Sequence, residues 1–325
     1  MKAKRIFSIA AAILKAKIFK KQTPLLVGWA ITGHCNRKCG YCARWQGNSG
    51  ELSTAQILRV IDQLARLGCL RISFTGGEPL LRSDIGQIID YAHNKGIEVR
   101  LNSNGDLVSA KKEQLKNLDA LTLSLEGPVE IHDAIRGAGS YQKVIQAAKT
   151  ARELGIKVTL TTVLTRLNCD QIDFILAKAQ ELAAEVSFQP ATPTVLGDKQ
   201  ANPLQPTETQ YRQAMQQLIK KKKTAGRTIA NSKAGLAYLY HWPRTKRLTC
   251  AAGVINARIE PNGEVIYCSR DKFPNPVLSC ANGNFQEAFA NLKPISCSDC
   301  CCANRVELNL CFRGNLSAIL NQIKR

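Results

Sequence analysis

The sequence predicts an α/β fold built on a parallel sheet, followed by a small β-hairpin and a cysteine-rich module. Three observations carry that prediction. From Leu25 to Pro190, short apolar runs rich in β-branched residues alternate with longer stretches of helical spacing, as repeated βα units do. Every polar motif of this region falls just after an apolar run, where a βα barrel gathers its reactive loops. From Cys250 onward lie eight of the thirteen cysteines, together with a Pro261-Asn-Gly263 turn signal flanked by alternating segments.

With 325 residues the chain can bury a full core and still carry a small appendage. Its formal charge of +20 attracts phosphates and other anions. Few aromatic residues accompany the lysines, so stacking platforms for bases are not evident and nucleic acid is not an expected partner. Clustered cysteines in a chain this long read as metal ligands in a reducing cytoplasm rather than as disulfides.

Residues 1–23 begin with Lys2, Lys4 and Arg5 and end among Lys15, Lys17, Lys20 and Lys21. The apolar run between them is too short to span a bilayer and no small-residue cleavage site follows it. Ile6, Ile9, Ala10, Ile13, Leu14 and Ile18 keep helical spacing, which predicts a basic amphipathic helix. It either contacts an anionic membrane peripherally through residues 1–22 or packs on the domain that follows.

Within 24–190 strands are expected over 25–32, 70–74, 97–102, 120–125, 156–163 and 185–189, six βα units in all. Ser53-Thr-Ala-Gln56 is a capping box for a helix whose Ile57, Val60, Ile61, Leu64 and Leu67 form one face, stopped by Gly68. Tyr141, Val144, Ile145 and Ala148 repeat that logic before Gly155. These helices are scaffold. Cys69 and Cys169, each near a helix end, read as small buried residues without chemistry.

The chemistry lies in the loop His34-Cys-Asn-Arg-Lys-Cys-Gly-Tyr-Cys42. Three thiolates at this spacing suit a soft metal centre, and a cubane iron–sulfur cluster takes four. The missing fourth leaves an iron open to an exogenous ligand, as a catalytic zinc is. Zinc completed by His34 is the competing reading. After the next strand comes Thr75-Gly-Gly-Glu-Pro79, then Asn102-Ser-Asn-Gly105 and Ser124-Leu-Glu-Gly-Pro128. Gly76 and Gly77 let backbone come close to a neighbour, and Pro79 fixes the turn.

The spacing C-x3-C-x2-C with Tyr41 before the third cysteine, and Gly76-Gly-Glu-Pro79 after the next strand, resembles the radical S-adenosylmethionine (radical SAM) superfamily. Ser124 to Gly137 is similar to the form seen in its subgroup with SPASM or twitch extensions. The resemblance implies an open, partial (β/α)6 TIM-like barrel with Cys35, Cys39 and Cys42 holding a 4Fe-4S cluster. It places the backbone of Gly76, Gly77 and Glu78 at the amino group of SAM, Asn102, Ser103 or Asn104 near the ribose, and Ser124 and Arg136 at the carboxylate. His132 and Asp133 read as structural.

Residues 191–249 read as a linker marked by Pro193, Pro203 and Pro206, with a helix expected over 207–223 and Lys220 to Lys223 as either a solvated face or a contact for a phosphate-bearing partner. In 250–325 a hairpin formed by 255–260 and 264–268 brings Cys250 and Cys268 together, and Cys297-Ser-Asp-Cys300 supplies another pair. This set resembles the auxiliary 4Fe-4S site of twitch-type enzymes, with Cys280, Cys301, Cys302 and Cys311 as alternative ligands. A zinc ribbon fits the same spacing.

By that resemblance the protein is an enzyme in which a reduced cluster cleaves SAM to a 5′-deoxyadenosyl radical that takes hydrogen from a substrate. A flavodoxin or ferredoxin is the expected reductant. A lipid or isoprenoid met at the inner face of the membrane, a peptide undergoing maturation and a cofactor precursor are the substrate classes that suit the charge. The reading of another class is a non-catalytic iron–sulfur electron carrier or zinc protein, which needs a fourth ligand at the first site.

Overall fold

The computed structural model describes residues 22–46, 50–245, 247–268, 277–293, 295–297 and 300–324, preceded by 11, 13–15, 18 and 19. Most of the helix expected over 1–23 lies outside the described residues. Of those that are described within it, Ala11, Ile13 to Lys15, Ile18 and Phe19 are helical, whereas Gln22 and Thr23 are not. Ile13 packs against the cluster of Leu25, Ala251, Val254, Ile255 and Phe312, whereas Leu14, Ile18 and Phe19 are exposed. The apolar set expected to share one face is thus split between the domain and solvent.

The βα region consists of β1 (Leu26–Thr32), α1 (Thr54–Arg66), β2 (Arg71–Gly76), α2 (Ile85–Asn94), β3 (Glu98–Ser103), β4 (Ala120–Ser124), α3 (Val129–Arg136), α4 (Ser140–Glu153), β5 (Lys157–Leu164), α5 (Ile172–Glu181) and β6 (Glu185–Pro190). Ser53 caps α1 through the expected box: its hydroxyl accepts from Gln56 N–H, and the Gln56 side chain accepts from Ser53 N–H. Ile57, Val60, Ile61 and Leu64 of α1 are fully buried against Trp29, Ile72 and Phe74 of the sheet. Each such side chain contributes roughly 1.5–3 kcal/mol on leaving water. One unit departs from the expected alternation. Between β3 and β4 the crossover is a single 3-10 turn, Lys112–Leu115, because this polar stretch supplies only Val108, Leu115 and Leu118 as buried side chains, too few and too widely spaced for a helical face.

Strands β1 to β6 pair in parallel in chain order, each C-terminal end pointing the same way. The remaining elements are α6 (Glu208–Thr224), α7 (Lys233–Tyr240), β7 (Leu248–Thr249), β8 (Asn256–Ile259), β9 (Glu264–Ile266), β10 (Leu278–Ser279), α8 (Phe285–Ala290), β11 (Ser296–Cys297), α9 (Ala303–Phe312) and α10 (Leu316–Lys324). The hairpin forms around Gly263, whose φ of +86° suits glycine. It does not stand apart from the barrel. β8 pairs in parallel with β1, Leu26 opposite Asn256 and Trp29 opposite Ile259, so one nine-stranded sheet runs from β10 to β6 across the expected boundary at 250. The far edge, β6, is covered where Val186 exchanges hydrogen bonds of 2.7 Å with Thr228 and Ala230.

Helix α6 is capped by Thr207 and Gln210 in a second box. Its lysine run is not uniformly solvated. Lys222 is buried and donates to the carbonyls of Gly226 and Ile229 at 2.7 and 2.6 Å, because α6 turns that position toward α10 rather than outward. Among the described residues no helix is long and apolar enough to cross a membrane.

Candidate active site

The cysteine loop leaves the C-terminal end of β1 and is stapled on three sides. Glu51 accepts from Thr32 Oγ1 at 2.5 Å and from Gly33 N–H at 2.9 Å. Arg37 donates bidentately to Asp106 at 2.6 and 2.7 Å, and Asn36 to the same carboxylate at 2.8 Å, which ties the loop to the end of β3. Gly40 N–H donates to the Ile135 carbonyl at 2.9 Å, and Ala43 N–H to Leu196 at 2.8 Å. The loop that carries Cys35, Cys39 and Cys42 is therefore shaped by backbone and ion-pair anchors.

All three thiols are free and half-buried. Burial pushes the Cys35 pKa up to about 11, and Glu78, Cys39 and Cys42 lie close enough to add to it. Burial likewise raises Cys39, against the opposing pull of Arg136. Among the described residues no three histidine, cysteine or carboxylate side chains already enclose a metal position. What fits a cluster is the donor chemistry: three reduced thiols on one anchored loop, near enough to feel one another's charge.

The Gly76–Glu78 turn packs directly beneath this loop. Gly77 and Glu78 N–H groups donate to the carbonyls of Thr32 and His34 at 2.9 and 2.8 Å. A Cβ on Gly76, whose φ is +141°, would lie 2.2 Å from Thr32 O, and one on Gly77 would lie 2.0 Å from His34 O. The glycines thus serve contact between two segments of the chain. Glu78 is fully buried and accepts from Leu80 N–H, Ser103 Oγ and Asn104 N–H at 3.1, 2.9 and 2.7 Å. Burial pushes its pKa up to about 7. Of the residues expected near a ribose, Ser103 is bonded to Glu78 and Asn104 Nδ2 to Asn36 Oδ1 at 2.8 Å, while Asn102 lies half-buried on β3. Ser124 ends β4, half-buried and in register with Thr161.

Arg136 stands in the last turn of α3, and its partners were not foreseen. Its Nε donates to Glu126 Oε1 at 2.9 Å, with Nη2 2.8 Å from the same carboxylate oxygen. Nη2 also donates to the Tyr41 hydroxyl, and Nη1 to Cys39 Sγ at 3.8 Å. Tyr41 donates to Glu126 at 2.7 Å, and Val163 N–H donates to the other Glu126 oxygen at 3.0 Å. Burial opposes charge on Arg136, yet Tyr41, Glu126 and Cys39 outweigh it and the pKa lies above the ordinary arginine value. Since burial keeps Tyr41 a neutral phenol, Glu126 is the anion that matters. The only sequence signal for Glu126 was an acidic residue just after a strand, inside Ser124-Leu-Glu-Gly-Pro128. His132 and Asp133 act on local structure: His132 Nδ1 accepts from Glu126 N–H at 3.1 Å, and Asp133 accepts from Gly139 N–H, Ser140 Oγ and Tyr141 N–H at the start of α4.

At the opposite side of β1, β7 and β11 pair Leu248 with Cys297, and Cys250 N–H donates to the Ile295 carbonyl at 3.1 Å. Cys250 is buried, which raises its pKa, and Cys268 and Arg305 lie close enough to act on it. Asn309 bonds Cys250 and places its Nδ2 3.9 Å from the buried Cys300 sulfur. The backbone thus gathers Cys250, Cys268, Cys297 and Cys300 into one region. Cys280 is buried beside the hairpin turn, its N–H bonded to Gly263 O at 2.8 Å. Cys301 neighbours Tyr211 of α6, Cys302 precedes α9, and Cys311 lies in the last turn of α9 near Glu307. Cys69 and Cys169 are buried singly, Cys69 against the Leu25 and Arg71 carbonyls.

A model of the radical SAM superfamily matches residues 29–179. Over 280 residues the chain is 30% identical to the mycofactocin maturase MftC of Mycobacterium tuberculosis (strain CDC 1551 / Oshkosh), a match covering 82% of this chain and 71% of that protein. Over 167 residues it is 30% identical to the AdoMet-dependent heme synthase of Nitratidesulfovibrio vulgaris, covering 49% of this chain and 46% of that one. In fold it is similar to Streptococcus suis SuiB bound to S-adenosylmethionine, with a TM-score of 0.69 and 17% identity over 86% of this chain and 69% of that one. SuiB is also known with its precursor peptide SuiA bound. The chain therefore belongs to the radical SAM superfamily, as an enzyme that works with a 4Fe-4S cluster and S-adenosylmethionine.

Proposed function

We propose that this radical SAM enzyme matures a peptide, using Cys35, Cys39 and Cys42 to hold the cluster that meets SAM, and Cys250, Cys268, Cys297 and Cys300 to hold an auxiliary cluster. The observation that carries the first assignment is the set of three free, half-buried thiols packed on the Gly76–Glu78 turn at the C-terminal end of the sheet. When bound, the cluster and SAM supply reductive cleavage to a 5′-deoxyadenosyl radical and hydrogen abstraction. The chain's own part is to fix the loop through Arg37–Asp106 and Glu51 and to hold the turn through buried Glu78.

For the substrate, the maturase match covers 82% of this chain, whereas the heme synthase match covers 49% of it. A peptide is also what the structurally similar SuiB is seen to bind. The charge of +20 favours an acidic peptide and an acidic reductant of the flavodoxin or ferredoxin kind. Anaerobic incubation of reduced protein with SAM should yield 5′-deoxyadenosine, more of it with a synthetic library of acidic peptides. Stimulation only by a porphyrin, or only by vesicles carrying an isoprenoid lipid, would move the substrate to that class.

Peripheral contact of residues 1–22 with an anionic membrane is proposed separately. Leu14, Ile18 and Phe19 are exposed beside Lys15. Cosedimentation with anionic vesicles should weaken in a Leu14→Glu/Phe19→Glu variant; equal binding would remove the idea.

A further inference from the structure

We propose that Arg136, clamped by Glu126 and Tyr41, is a positioning residue for the Cys39 sulfur that raises the reduction potential of the cluster held there. The inference rests on the assignment of Cys39 as a cluster ligand. It differs from the expectation that Arg136 receives the SAM carboxylate.

A guanidinium has five N–H donors. Here four of those directions are taken: two toward Glu126, one toward the Tyr41 hydroxyl and one toward Cys39 Sγ at 3.8 Å. The clamp is held from outside as well. Glu126 accepts from Val163 N–H on β5, its own N–H is bound by His132, and Gly40 of the cysteine loop docks on the Ile135 carbonyl beside Arg136. The cation at the end of α3 is also where the helix dipole favours positive charge. A buried pair of this kind is rigid, since breaking either partner leaves the other charged and unpaired.

Such an arrangement does two things to a sulfur. It donates a hydrogen bond, and it sets a cation 3.8 Å from that sulfur. Potentials of iron–sulfur centres respond to hydrogen bonds on sulfur and to net charge, and both effects favour the reduced state, which carries one more electron. Glu126 moderates the effect. Removing the cation and removing the anion should therefore shift the potential in opposite directions, which a merely structural role would not do.

The test is an EPR-monitored redox titration of the reconstituted full chain without SAM. Variants are Arg136→Met, Arg136→Lys, Glu126→Gln and Tyr41→Phe, and iron content is measured on each. The Cys35/Cys39/Cys42→Ala variant identifies the signal belonging to the other cysteine site. At one fixed poise Arg136→Met should hold roughly tenfold less reduced cluster, and Glu126→Gln roughly tenfold more, a shift of 59 mV for one electron in each case. Arg136→Lys should recover part of the loss, and Tyr41→Phe should move little. Cluster present in all variants with an unmoved potential, or moved in the same direction by both charge changes, would overturn the clamp alone. A signal that survives the triple cysteine change unaltered would overturn the ligand assignment beneath it.

Discussion

Gly77 lies so close to the cysteine loop that a Cβ on it would stand 2.0 Å from the His34 carbonyl oxygen and 2.9 Å from the Cys35 nitrogen. Both obstacles are backbone, so neither can swing away. Gly77→Ala must push the loop off the turn and lose the Gly77–Thr32 and Glu78–His34 bonds with it. The expected cost is at least about 3 kcal/mol, with loss of cluster iron at this site. Urea unfolding and iron analysis check it; a stable variant with full iron would show that the contact is not needed.

Two cysteine sites imply about eight irons per chain after anaerobic reconstitution. Changing Cys35, Cys39 and Cys42 to Ala should halve the iron and abolish SAM cleavage. Continued production of 5′-deoxyadenosine by that variant would refute the first site. Zinc in place of iron beside Cys250 and Cys300 would refute only the second.

His132 gives a pH signature. It is fully buried, its Nδ1 accepts from Glu126 N–H, and burial lowers its pKa to about 3. In the unfolded chain the imidazole titrates near about 6.5. Between these values the unfolded state binds a proton that the folded state does not, so stability rises with pH across that window. The contribution is complete above about pH 6.5 and is lost as pH falls toward 3, at most about 5 kcal/mol. His132→Asn keeps an acceptor without the titration. Its urea midpoint should be lower than wild type at pH 7 but should fall less between pH 7 and 4.5; parallel curves would exclude His132 as a source of acid lability.

The strands of the barrel were legible because each is an apolar run bounded by a turn, and the observed limits fall within two residues of those expected. The hairpin was legible from Asn262-Gly263. Its attachment to β1 was not, because a parallel pair between Leu26 and Asn256 joins segments whose own patterns say nothing of each other. The same distance hid the clamp. Tyr41 stands 85 residues before Glu126, and although Arg136 follows Glu126 by only ten, it is the sheet and α3 that bring the three to one point. The glycine pair was seen as a close-approach signal, but sequence alone could not tell a ligand from the Thr32 and His34 carbonyls it meets.

Lys222 shows the reverse case, a residue whose pattern misleads. In a run of four lysines it reads as solvated, yet its Nζ donates to Gly226 O, Ile229 O and Asn321 Oδ1 at 2.7, 2.6 and 3.2 Å. Asn321 in turn donates to the Ala230 carbonyl at 2.8 Å, so one ammonium links the end of α6, the strand-like cover of β6 and α10. Lys222→Ala strips a donor from one buried and two half-buried acceptors and should cost about 1–3 kcal/mol. Exposed Lys223→Ala should stay within about 0.5 kcal/mol. The loss should appear first as faster amide exchange in α10 and residues 226–230, where the tie is made. If both variants unfold at the same urea concentration, Lys222 is no more than a surface cation.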